Sequence, residues 1–259
     1  MVEGHGINYI GLYTLIRREI ERTFRVVIQT LITPWITALL YIFVFGSVVG
    51  SRISLIGGVP YIQFVLPGIL VMNVILSSFS GSSSAMYMKR FMKDIEEILV
   101  APLSYIEMIL GLIIGTVIRS LIVALGIFVL AVFFGGASIT HIPLFIFYIL
   151  AISVVFSLLG IIVGLWAKGF ESFSIISAFV ITPLSFLGGV FYSVDMLPAN
   201  LRFIVVYNPF FYFTDGVRFS MIGLRDGNAG VGYAMIFGSI LVLGTIVWYL
   251  FKIGWHIRS

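Results

Sequence analysis

Between Arg90 and Leu103 the chain reads RFMKDIEEILVAPL, with Asp94, Glu96 and Glu97 set among Arg90 and Lys93. A second charge, Arg119, stands alone between LGLIIGTVI and SLIVALGIFVL. The other groups that could do chemistry are dispersed. His5, His141 and His256 are far apart in sequence, and there is no cysteine. Acid–base or metal chemistry needs clustered His, Asp or Glu, so no catalytic, metal or cofactor site is expected in this chain. Without cysteine there are no disulfides, thiolate metal sites or thiol nucleophiles. A charged stretch suits docking to a soluble partner, or is a solvated connector. A lone buried arginine suits attraction of an anion, or a clamp on its own bundle.

The elements that carry these residues are set by solvent. Of 259 residues, 60% are apolar and 10% charged, against about 45–50% and 25% in soluble domains. So little charge cannot cover a soluble surface, and the chain is read as an all-α integral membrane protein. Six apolar stretches can cross a core that needs roughly 20 helical residues. They are 27–49, 64–87, 105–134, 142–167, 173–194 and 232–251, within one domain spanning 1–259. Each must satisfy its own backbone hydrogen bonds in lipid, which requires helices. Pro34, Pro67 and Pro183 fall inside or at the ends of spans, where kinks are tolerable. No secretory signal is expected, because residues 1–26 are too charged.

Basic residues orient the spans. Arg17, Arg18, Arg22, Arg25, Lys89, Arg90, Lys93, Lys168, Lys252 and Arg258 fall on one side, and Arg52, Arg202, Arg218 and Arg225 on the other. Both termini and the 88–103 loop are therefore expected in the cytoplasm. The net charge of +4 reflects this placement and not a nucleic-acid partner. Within 1–26, Leu12, Ile16, Ile20 and Phe24 recur at every fourth position with arginines on another face. This predicts an amphipathic helix in the membrane interface, against lipid headgroups. The loop begins as a helix with Met92, Ile95, Ile98 and Leu99 on one stripe, and Pro102 ends it.

Two blocks then resemble the permease subunits of ABC-2 type exporters. FVLPGILV carries Pro67 and Gly68 where that family has Pro-Gly in its second span. In DIEEILVAPLSYIEMILG, residues Ile95, Glu96, Ile98, Leu99 and Pro102 match the Leu, Glu, Leu, Leu and Pro of its loop pattern, with Lys93 and Asp94 where Gly-Thr is usual. Further on, Pro183, Gly188, Gly189, Leu197, Pro198, Pro209 and Arg218 match its fifth-span segment.

The resemblance implies a half-transporter that forms a homodimer in the bacterial cytoplasmic membrane and works with two copies of a separate ABC ATPase. That partner would hold ATP and Mg. No Gly-x-x-x-x-Gly-Lys-Ser/Thr phosphate loop is present here. The 88–103 loop would be the coupling helix, with Lys93, Asp94, Ile95, Glu96, Glu97, Ile98, Leu99 and Pro102 touching the ATPase. Residues 195–229 would form short re-entrant outer helices. The substrate would be lipid-like, a lipid-linked glycan or a hydrophobic drug. Pro67 and Arg119 are placed in the substrate path or bundle interior, and Gly46, Gly50, Gly188 and Gly189 at a dimer contact.

For Arg119 two readings stay open. It anchors an anionic group on a substrate, or it clamps helix carbonyls, Glu107 or second-span serines. The sequence favours the clamp. The run SSFSGSSSAM gives the second span a small polar face suited to close packing. Phe203, Tyr207, Phe210, Phe211, Tyr212 and Phe213 suit an interface belt or a substrate exit. An alternative class is a secondary transporter of a small amphipathic solute. Such a transporter usually places a carboxylate near the midplane, whereas here the deep charge is an arginine.

Overall fold

The computed structural model describes residues 8–53, 55–95 and 103–255. Six helical segments are long and apolar enough to cross a membrane. The first runs through the π-helical turn Ile28–Ile32, α2 (Thr33–Phe43) and a second π-helical stretch, Val44–Val49. The second is α3 (Tyr61–Phe91), the third α4 (Tyr105–Gly135) and the fourth α5 (Ile142–Trp166). The fifth combines α6 (Phe170–Ile176), a π-helical turn Ser177–Ile181 and α7 (Thr182–Leu187). After α8 (Arg202–Val206) and α9 (Pro209–Ile222), the sixth span is α10 (Ala229–Ile253). The first and second spans are joined by a hairpin, β1 (Leu55–Ile56) with β2 (Val59–Pro60). Gly57 and Gly58 both take positive φ at its turn, as a two-residue hairpin loop demands.

The second span is the hub. It is buried over most of its length, whereas the fifth and sixth are mostly exposed. Its tight contact with α5 is made by small residues. Gly160 and Gly164 leave no room for a methyl group against Ser82, Phe79 and Ser83, the Gly-x-x-x-Gly approach common in membrane bundles.

The first and fifth spans share a local device. In each, a π-helical turn precedes Thr-Pro, and the threonine hydroxyl bonds the carbonyl five residues back. Thr33 donates to Ile28 and Thr182 to Ser177, both at 2.9 Å. Proline lacks an N–H, so hydroxyls and adjusted turns satisfy the backbone where lipid cannot.

Two expectations change here. The fifth span was expected to reach residue 194 but ends at Leu187. Gly189 turns at φ 74, and Val190 returns against Gly68, which has no room for a side chain. The N-terminal helix α1 (Tyr9–Arg25) exists, but its buried stripe is Leu15, Glu19 and Thr23. Phe24 is exposed, and Leu12, Ile16 and Ile20 are half-buried. Gly111 and Gly115 of α4 admit Leu15 and Glu19 at distances no larger residue would allow.

Candidate functional site: a polar cavity and the braced end of the second span

At the basic end, α3 is tied to two neighbours. Lys89 lies 2.7 Å from Glu19 of α1, which also pairs with Arg22 at 3.1 Å. Arg90 donates to the carbonyls of Gly164, Leu165 and Ala167 at the end of α5, satisfying acceptors that a helix end leaves free. Glu107 completes a capping box with Ser104 and accepts from the Asn8 backbone N–H, so α1 and α4 begin against one another.

Just beyond α3, Lys93 has φ 62. The resembled pattern has glycine at this position, and only glycine adopts that conformation without steric cost. Lys93 and Asp94 are exposed. Ile95 is 4% exposed, in an apolar cluster with Met86, Met108 and Leu165, and so anchors the loop to the bundle. Glu96, Glu97, Ile98, Leu99 and Pro102 lie outside the described residues.

The serine run splits into two functions. Ser78 meets Ser120 of α4, hydroxyl to hydroxyl, at 2.7 Å, and Ser82 and Ser83 pack on α5. Ser77 and Ser80 face elsewhere. They line an open cavity of about 420 Å³ between the first, second, third and fifth spans, together with Asn73, Thr37, Ser177 and Arg119. Arg119 stands 14 residues into α4, about 21 Å along the helix at 1.5 Å per residue. No hydrogen bond or ion pair to its guanidinium is found among the described residues, and its Nε is buried without a partner. The Ser77 hydroxyl is likewise buried and unpartnered.

The favoured clamp is therefore corrected. Glu107 is about 18 Å away along the helix and is engaged by Ser104 and Asn8, while Ser78 and Ser120 bond each other. Pro67 is buried in the bundle interior and is not among the residues lining this cavity.

The glycines expected at a dimer contact are occupied within one chain. Gly46 faces Ile62, and Gly188 faces Phe210. Gly50 ends the π-helical stretch on the Phe45 carbonyl at 2.9 Å, and Gly189 supplies the turn after α7.

The aromatic segment divides too. Phe203 and Tyr207 are exposed, but Phe210, Phe211, Tyr212 and Phe213 are core, which corrects the idea of a continuous belt. Arg218 of α9 is fully buried. It donates to the carbonyls of Gly189 and, at 3.5 Å, Phe64, with its guanidinium 3.9 Å from the centre of the Phe64 ring. Beside it Asp215 accepts from the Asp226 backbone N–H at 2.7 Å, and Ser193 donates to Asp226 at 2.7 Å. This network was missed, because residues 215 and 226 carry no periodic signal. The Gly160/Gly164 pair, by contrast, is visible in the sequence as Gly-x-x-x-Gly.

A bundle with six helical segments long and apolar enough to span a membrane, enclosing a polar cavity, defines a multi-pass membrane protein. Residues 11–222 match the model of the ABC-2 type transporter family, and the chain belongs to that family. It is 34% identical over 252 residues to the inner membrane transport permease YadH of Escherichia coli K12, covering 97% of this chain and 98% of that one. It is also 24% identical over 220 residues to nodulation protein J of Rhizobium meliloti, covering 85% and 83%. Nodulation protein J of Rhizobium leguminosarum bv. viciae is 22% identical over 227 residues, covering 86% and 85%.

Proposed function

We propose that this chain is the membrane subunit of an ATP-driven exporter, working as a homodimer with two copies of a separate ATPase in the bacterial inner membrane. The observation that carries this is the bracing of the second span's basic end. Lys89 and Arg90 couple the helix that feeds the docking loop to both α1 and α5, so a push on the loop reaches three elements at once.

A second copy is supported by the open side of the polar cavity between the first and fifth spans. Gln29, Thr33 and Ser174 of its lining are exposed there, and lipid tails solvate polar side chains poorly. An apolar groove of about 530 Å³ between the first and third spans, lined by residues such as Ile36, Leu39, Leu125 and Val129, fits the tails of a lipid-like substrate. Against secondary transport, the described carboxylates within the spans, Glu107 and Glu171, lie in first turns and not at mid-depth.

Reversing the loop charge with Glu96→Lys and Glu97→Lys is expected to weaken ATPase binding, since like charges across a docking surface cost affinity. Copurification of the double variant with its ATPase in wild-type yield, two copies of each, would sink the docking assignment. The orientation is checked in this cysteine-free chain by Ser51→Cys, Ser138→Cys and Ser259→Cys. The first two are expected to react with an impermeant thiol reagent added outside and the third is not; the reverse pattern inverts the topology.

A further inference from the structure

The cavity presents two donors with nothing to bind. The Arg119 guanidinium and the Ser77 hydroxyl both line it, Ser77 only 4% exposed, and neither has a hydrogen-bond partner among the described residues. Buried polar groups in folded proteins are nearly always satisfied, so two orphans lining one cavity ask for a common ligand. Among the described residues the lining holds one cation and no acid.

A second guanidinium adds to this imbalance. Arg22 donates to the Gly81 carbonyl at 3.2 Å, and Arg119 Nη1 lies 3.1 Å from where a Cβ on Gly81 would stand. Two positive groups thus flank one glycine, while the nearby acid, Glu19, is shared between Arg22 and Lys89. In a poorly hydrated bundle such a charge is costly until an opposite charge meets it.

We propose that this cavity is an oxyanion site that takes the phosphate group of an amphipathic substrate. Arg119 offers its planar fork to two phosphate oxygens, a geometry that lysine cannot reproduce. Ser77 donates to a third. Gly81 leaves the guanidinium its place, because a Cβ there would stand 3.1 Å from Nη1 and make it shift. The site rests on the exporter reading above and gives its substrate a chemical class: an amphipath with an anionic phosphate head.

The test uses the full-length chain in detergent, with dihexanoyl phosphatidic acid as probe and dihexanoylglycerol, which has the same tails and no charge, as comparison. Binding is followed by calorimetric titration and by the shift in melting temperature. The phosphatidate is expected to bind at least about tenfold more tightly than the neutral lipid, a factor of ten being one good charge-assisted contact. Arg119→Gln is expected to abolish the difference, Arg119→Lys to keep part of it, and Ser77→Ala to weaken binding several-fold. Inorganic phosphate that displaces the probe at equal affinity would support the oxyanion site but overturn the lipid-borne source in favour of a free ion.

Equal binding of the two lipids, or phosphatidate binding undiminished in both Arg119→Gln and Ser77→Ala, overturns the proposal. Should Arg119→Gln not fold, Ser77→Ala and Arg119→Lys still decide. Because the permease alone is titrated, a negative result leaves the ATPase copurification standing, and failed copurification leaves this site standing.

Discussion

Arg218 and Arg119 are both guanidinium groups inside an apolar bundle. Arg218 has the carbonyls of Gly189 and Phe64 and the face of the Phe64 ring around it. Arg119 has a cavity. The first joins the turn after the fifth span to the start of the second, so its charge is spent on holding three chain segments together. The second packs beside Gly81 of the second span with no hydrogen-bond or ion-pair partner among the described residues. What the pair teaches is that an intramembrane arginine declares its purpose through its partners. The same residue type locks a fold when carbonyls surround it, and receives a ligand when they do not.

The largest effect is expected at the locked residue. Arg218→Ala leaves two carbonyls and a nearby acidic network uncompensated, and should cost about 3–5 kcal/mol, the range for breaking a buried charged contact. Arg218→Lys should rescue little of it, having no planar fork. Arg119→Gln removes a buried charge that has no hydrogen-bond or ion-pair partner among the described residues, and should leave stability unchanged or raise it. Thermal unfolding of the detergent-solubilised protein measures both. If the two variants lose equal stability, the contrast between the arginines is false.

The serines sharpen the same contrast at smaller scale. Ser78→Ala breaks a bond to Ser120 and should cost about 1 kcal/mol. Ser77→Ala removes an unpaired hydroxyl and should be neutral within about 0.5 kcal/mol. A larger loss at Ser77 than at Ser78 would mean that the cavity wall bears load.

Much of this molecule could be read without coordinates. Six apolar runs declare six helices because a helix satisfies its own backbone within the segment, so the requirement is local and visible in a window of residues. The skew of Lys and Arg is equally a property of the string, as are the Pro-Gly of the second span and the blocks that carry the family resemblance.

The sidedness of each helix was not. In water, an apolar stripe marks the inside; in a bilayer both the lipid and the core are apolar, and hydropathy cannot tell one from the other. Hence the run from Ser77 to Ser83 gave no sign that Ser78, Ser82 and Ser83 pack while Ser77 lines a cavity. For the same reason Phe210 to Phe213 read as a surface belt and proved to be core. Glu19 links α1 to Lys89 because Gly115 of α4 makes room for it, a contact that no pattern within α1 announces. Ile95 matched a docking motif by its spacing, yet packs against the bundle it belongs to. Arg119 was conspicuous in the sequence from the start, but whether it clamps or receives depends on groups far away in the chain, Ser77, Gly81 and Arg22 among them. Local pattern determined that these helices exist and where they cross; only their packing decided which faces meet, because that choice is made by size and shape between helices and leaves no period in the sequence.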